Sequence, residues 1–288
     1  MDEAGFEDKF IAFIDILGFK SMVVSAEQGR GRSLAEIHDL ATQLGRPDYD
    51  GAYAQDGPMI CPYSAVLRRD LNFQVTQVSD CVIVSAEISP AGVINLVDHC
   101  ASVVIKLMTK GVMVRGYVTR GMVYHRGSAI YGSGYQDAYD KAEKGVIAFK
   151  LEADEKGTPF VEVDPSVRDF VAHETDECVR EMFGRMTASD GDVTAVFPFR
   201  RFAHSVVIGG PRGEPFDPVA EKARNDGWRR QIQDLKARLM QYVSPDDEKA
   251  VRKVRHYVAA LERQLGVCDR TDALIDELMR PVAGRRPT

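Results

Sequence analysis

The sequence has little of what builds a disulfide or zinc scaffold. Its five cysteines, Cys61, Cys81, Cys100, Cys178 and Cys268, are odd in number, and no two stand at CxxC spacing. Reduced thiols in a cytoplasmic protein are the simplest reading. The six histidines, His38, His99, His125, His173, His204 and His256, fall in no metal-ligand pattern either. Positive charge is short: 37 Lys and Arg against 43 Asp and Glu give a net charge of −6. That balance argues against gripping a phosphate backbone or an anionic membrane by bulk electrostatics, and leaves room for a local basic pocket. No apolar run approaches the roughly 20 residues that cross a bilayer. The acidic start MDEAGFEDKF is unlike a secretory signal. Neither nucleic acid nor a membrane is expected as a direct partner. Repeats and low-complexity tracts are also missing.

What is present is an ordinary globular composition, 44% apolar and 28% charged over 288 residues, which rules out wholesale disorder. The run from Phe10 to Phe19 predicts a strand buried on both faces, carrying one carboxylate, Asp15, and broken at Gly18. A helix is expected from Lys20 to Leu44, interrupted at Gly29 and Gly31. Residues 45–70, rich in Gly and Pro, read as a long loop. Leu71 to Val78 alternates with period two, Ser79-Asp80 punctuates it, and Cys81 to Ser85 continues as an apolar run. This is a β-hairpin with Asp80 at its tip. Pro90 to Lys110 reads as a helix ended by Gly111. Val112 to Tyr124 reads as one strand or two, Ser128 to Tyr131 as a short strand, and Gly132 to Lys144 as a helix.

That order is the βαββαβ arrangement of a ferredoxin-like α+β core, with helices covering one face of an antiparallel sheet. Two further strands are expected, at Phe160 to Val163 and Arg201 to Ile208. Beyond Gly213 the chain becomes charge-rich and helix-forming. Trp228, Ile232, Leu235 and Leu239 keep helical spacing, as do Val251, Val254, Val258, Leu261 and Leu265. Ser244-Pro245-Asp246-Asp247 is a good helix start. The chain is thus read as a core domain over 1–210 and a helical extension over 215–282, a helical hairpin plus a short third helix. The extension either pairs subunits, docks a partner or packs on the core.

Asp15 ends a buried strand, and Asp80 caps a hairpin whose tip can lie beside that strand's end. Singly, each reads equally as a capping or turn aspartate. Together they suit two hard divalent ions, Mg²⁺ or Mn²⁺, which take oxygen ligands and bridge to phosphates. Two such ions acidify a hydroxyl and neutralise a leaving pyrophosphate. The backbone from Ile16 through Leu17 and Gly18 to Phe19 turns into a helix N-terminus, whose free amides suit a triphosphate.

These motifs resemble those of the class III nucleotidyl cyclases. FIDILGF resembles their first metal motif and VSDCVIV their second metal hairpin. The stretch from Arg115 through Gly116, Arg120 and Gly121 to Val123 resembles their strand with a spaced Arg, Gly and Val. Ile130-Tyr131-Gly132-Ser133-Gly134 to Ala138 resembles the lead-in to their late catalytic helix, and the similarity runs over about residues 8–165. More narrowly, the chain is similar to the stand-alone pyrimidine cyclases of Pycsar anti-phage defence. These pair FxDILGF with an SD hairpin, an RG strand and a YG…AY helix. The resemblance implies conversion of UTP, less readily CTP, into a 3′,5′-cyclic monophosphate plus pyrophosphate. It implies Asp15 and Asp80 as metal ligands, with the Ile16 carbonyl on the second ion. It also implies a head-to-tail homodimer with sites at the interface, and a separate effector switched on by the product.

The chain departs from that family on the late helix, where an Asn and an Arg are replaced by Gln136 and Asp140. An acidic Asp140 cannot neutralise a phosphorane. The available cations are Arg115, Arg120, Lys141 and Lys144, and Arg120 or Lys141 is chosen for that role. Arg115 and Arg120 are five residues apart on a strand and so on opposite faces. The base-reading lysine of purine cyclases falls at Thr76, whose short hydroxyl favours a pyrimidine. Phe19, Tyr49 and Tyr53 are candidates to stack on the base. Two rivals remain. Gln136 and Asp140 motivate a catalytically silent nucleotide-binding regulator on the same fold. A palm-like nucleotidyltransferase is disfavoured because no basic groove with interleaved aromatics is evident.

Overall fold

A computed structural model describes residues 5–45, 61, 63–68, 71–202 and 216–280. Strand β1 (Glu7–Ile16) is buried on both sides because its alternate residues feed two different cores. Phe10, Ala12, Ile14 and Ile16 join the main cluster, whereas Ile11 and Phe13 join a smaller one with Ile83, Tyr117, Ala138 and Ala142. Gly18, at φ +78°, ends the strand in the left-handed region and opens helix α1 (Phe19–Glu27). The expected interruption is there: α2 (Leu34–Gly45) starts anew beyond Gly29 and Gly31.

Strands β2 (Phe73–Val78) and β3 (Cys81–Glu87) form the hairpin, with Ser79-Asp80 as its turn. Helix α3 (Pro90–Thr109) starts at Ser89, whose hydroxyl accepts the Gly92 amide at 2.9 Å. β4 (Val114–Arg126) is one long strand, and it turns back into β5 (Ala129–Tyr131) before helix α4 (Ser133–Lys144).

The first four strands lie in the order β2-β3-β1-β4, all antiparallel, which is the ferredoxin-like βαββαβ interleave. The sheet then grows beyond the expected core. β6 (Val161–Val163) adds parallel to β4, followed by β8 (Val193–Val196) and β7 (Thr187–Asp190). Helices α5 (Pro165–Ala172) and α6 (Glu177–Met186) intervene. The fold is therefore α+β with a mixed sheet. Its helices also cover both faces, not one. α4 lies over the Ile11, Phe13 and Tyr117 side, and α3 over the other. Two glycines let α4 come this close: a Cβ on Gly121 would meet Gly134 Cα at 2.8 Å.

Three other expectations are corrected. Arg201 and Phe202 do not begin a strand but end a 3₁₀ turn, Pro198–Phe202; residues 203–208 lie outside the described residues. Phe199 and Phe202 are both buried there, a period of three. Among the described residues the extension forms two helices, α7 (Pro218–Gln241) and α8 (Glu248–Leu278), with no separate third. Gly266 is the one glycine in α8, a cost of about 1 kcal/mol, and burial of Cys268 and Ile275 beyond it offsets that cost. Finally, α3 is long and apolar enough to span a bilayer, with a mean hydropathy of 1.5, contrary to the sequence reading. Most of its apolar window, 83%, is buried inside the protein.

The extension shares the main core. Ile232, Leu235, Leu239, Val254 and Leu261 belong to the same cluster as the sheet. Tyr257 is fully buried, with ring contacts to Phe160 and Phe199 at 5.8 and 5.0 Å.

Candidate metal and nucleotide site

The end of β1 is pinned from both sides. The Ile16 amide donates to the Asp80 carbonyl and the Leu17 amide to the Met113 carbonyl, each at 3.0 Å. Register sets Asp15 between Cys81 of β3 and Arg115 of β4. Asp15 therefore projects on the α4 side of the sheet, at its lip. There its carboxyl group meets that of Asp80 within hydrogen-bonding reach. Burial, and after it the charge of Asp80, pushes the Asp15 carboxyl up to about 7; Arg115 pulls the other way and Glu143 adds to the rise.

Arg115 joins the strand end to α4. Its Nη2 lies 3.6 Å from Asp15 Oδ2 and also pairs with the Glu143 carboxylate. Its Nη1 donates to the Glu143 carbonyl at 3.4 Å, and its buried Nε has no partner among the described residues. One guanidinium thus serves two carboxylates and a backbone carbonyl. Two facing acids with an all-oxygen donor set fit a hard divalent cation. Asp15, Asp80 and the Ile16 carbonyl are the groups that would hold it. Among the described residues no cluster of three or more His, Cys, Asp or Glu side chains forms a denser metal site.

The other sequence-based candidates fall in several places. Gly18 precedes α1, and no side chain caps that helix; the Met22 amide takes the Gly18 carbonyl at 3.0 Å. The first amides of α1 are thus left to other acceptors. Phe19 packs partly against the main core and lines a groove of about 380 Å³ with Val23, His38, Gln77 and Ser79. Thr76 is internal: its hydroxyl bonds to His125 Nε2 at 2.9 Å and to the Gly127 carbonyl. His125 Nδ1 in turn meets the Ser85 hydroxyl at 2.8 Å. Thr76 is therefore committed to a buried polar network. Tyr49 and Tyr53 lie outside the described residues.

The two chosen cations are not brought to the aspartates. Arg120 stands opposite Phe10, five register positions from Asp15, or roughly 17 Å at strand spacing. It lies on the other face, paired with Asp8 at 2.7 Å. Lys141 shares the face of Asp15 but is held by Asp164 at 2.8 Å and Asp137 at 3.0 Å, over the Tyr117 ring. Against the desolvation that would raise it, bonds from Lys141, Ser166 and Tyr117 hold the Asp164 carboxyl down to about 2. Gln136 and Asp140 are exposed, and Asp140 pairs with Lys144 at 2.9 Å.

One residue near the site had no sequence signal. Lys253 of α8 feels Arg115, Asp15 and Glu143. Burial, then Arg115 and Lys249, pushes its ammonium down to about 8, with Asp15 and Glu143 opposing.

No model of a known protein family matches the chain, and no curated protein matches it. Solved structures do. A bacterial light-regulated adenylyl cyclase is 13% identical, with a TM-score of 0.35, over 58% of this chain and 46% of that one. A class III adenylyl cyclase-like ATP-binding protein from Pseudomonas aeruginosa is 10% identical, with a TM-score of 0.35, over 62% of this chain and 41% of that one. The chain thus spans less than half the length of either neighbour.

Proposed function

We propose that the chain is a nucleotidyl cyclase that converts a pyrimidine triphosphate, UTP in preference to CTP, into its 3′,5′-cyclic monophosphate and pyrophosphate. The observation that carries this reading is the meeting of the Asp15 and Asp80 carboxyl groups beside the uncapped start of α1. Two divalent ions, Mn²⁺ or Mg²⁺, held by Asp15, Asp80 and the Ile16 carbonyl, would acidify the ribose 3′-hydroxyl and screen the leaving pyrophosphate. The first amides of α1, from Phe19 on, bind phosphate oxygens. Arg115 lies 3.6 Å from the Asp15 carboxylate, and in this reading it offsets the developing charge. The 3′-oxygen bonds to the α-phosphorus, the bond to the pyrophosphate oxygen breaks, and the hydroxyl proton leaves to water. Phe19 and its groove take the base.

By the resemblance in its motifs, the enzyme acts as a cytoplasmic head-to-tail homodimer, and its product serves as a messenger for a separate effector in anti-phage defence. The core over 1–210 carries the chemistry, and 215–282 supports it. Asp140 favours a second reading, a silent nucleotide-binding regulator, because α4 offers no free cation where cyclases carry one. Incubation with each nucleoside triphosphate and Mn²⁺, followed by chromatography of the nucleotides, separates the two. A cyclic pyrimidine product that falls about a hundredfold or more in Asp15→Ala supports the enzyme. Undiminished cyclisation by Asp15→Ala refutes the site, and binding without turnover leaves the regulator.

A further inference from the structure

We propose that helix α8 completes this site: Lys253, with Lys249 one turn before it, binds the polyphosphate of the nucleotide that Asp15 and Asp80 engage. The inference rests on the reading of those aspartates as a nucleotide site, and it adds residues from outside the βαββαβ core. A cavity of about 320 Å³ lies between the 152–157 loop and α8, walled by Lys156, Lys249, Arg252 and Lys253. Three acids also line it, against four cations: Glu155, paired with His256 at 2.7 Å, Glu152, 4.0 Å from Arg255, and Asp154. Gly157 also lines it. A Cβ there would stand 3.8 Å from Arg115 Nη1, so the cavity and the guanidinium that reaches Asp15 share a wall.

Lys253 makes no hydrogen bond or ion pair with any described residue. It is half-buried, and burial first, then the neighbouring Arg115 and Lys249, pushes its ammonium down. An incoming polyanion opposes that push. The placement is rigid, because Tyr257, one turn further on, is fully buried between Phe160 and Phe199. A polyphosphate suits the cavity better than a single carboxylate. It carries enough negative oxygens to reach Lys253, Lys249 and Arg115 together, and charge-assisted bonds of this kind are the strong ones.

The test is calorimetric titration of the full-length protein with inorganic tripolyphosphate in Mg²⁺ buffer, for wild type, Lys253→Gln and Lys253→Arg. Melting temperatures are read in parallel. Wild type is expected to bind, Lys253→Gln to bind about tenfold or more weakly at an unchanged melting temperature, and Lys253→Arg to recover most of the loss. Equal affinity in Lys253→Gln overturns the assignment, as does wild type that binds no tripolyphosphate. The two readings fail separately. Lysine-dependent binding without any cyclic product leaves the subsite and removes the cyclase. Cyclisation with Lys253-independent binding does the reverse.

Discussion

Asp15 and Arg115 are register partners across β1 and β4, and their side chains meet at 3.6 Å. The strand alternation that aims Asp15 at the lip of the sheet aims Arg115 there too, and turns Arg120 away. Arg115→Gln is expected to lower cyclisation about a hundredfold, the scale of losing one preorganised charge donor. Arg120→Gln, which breaks an exposed pair with Asp8, is expected to stay within about twofold. Its stability should change by less than about 1 kcal/mol. Initial rates for the two variants side by side are the check. A larger loss in Arg120→Gln would move the catalytic cation to the other face.

The acid pair makes a second prediction that needs no turnover. An ion that binds the folded protein and not the unfolded chain stabilises it by about 2.7 kcal/mol at a hundred times its dissociation constant. Millimolar Mn²⁺ should therefore raise the melting temperature of wild type. Asp80→Asn keeps the shape of the turn and removes one charge, so most of the shift should vanish. A shift of the same size in Asp80→Asn would place the ion elsewhere.

Some of this was legible in the sequence, and the reasons are local. A buried strand carrying one carboxylate and a two-residue turn carrying another are short-range patterns, so Asp15 and Asp80 were readable. So was the fact that Arg115 and Arg120 face opposite ways. Which of them faces the site was not readable, because alternation says that two faces differ and not which one α4 covers. That choice depends on the contact between Gly121 and Gly134, a tertiary feature. Thr76 matched a position in a motif, yet its hydroxyl is taken by His125, a residue on another strand. Lys253 shows the limit most clearly. Helical periodicity marks Val254 and Leu261 as buried, but nothing in it says that the turn before them ends beside Arg115.

The buried histidines set an acid limit. Burial, then Lys9, pushes His125 down to about 4; burial, then Lys106, does the same to His99, whose Nε2 is buried without a partner among the described residues. Unfolded histidine titrates near 6.5, so between about 6.5 and 4 the unfolded chain binds more protons than the native one. Stability is full above that window and falls as pH drops through it, by up to about 1.4 kcal/mol per pH unit for each histidine. Urea unfolding at pH 7.5, 6 and 5 measures the slope. His125→Gln keeps bonding groups for Thr76 and Ser85 and should flatten it by about one proton. An unchanged slope in that variant would mean that His125 is not held neutral.

Backbone contact between β4 and α4 predicts a sharp steric cost. A Cβ on Gly121 would sit 2.8 Å from Gly134 Cα, and that atom is backbone that cannot swing aside. Gly121→Ala must push α4 off the sheet, and small-to-large changes in packed cores cost about 1–3 kcal/mol. α4 also carries Glu143, which holds Arg115, so the displacement should reach the site. Gly121→Ala is therefore expected to lose activity beyond what its urea midpoint explains. Gly184→Ala, where an added Cβ meets nothing within 4 Å, is the control and should leave activity as it is. Equal behaviour of the two alanines would show that α4 yields freely and does not fix Arg115.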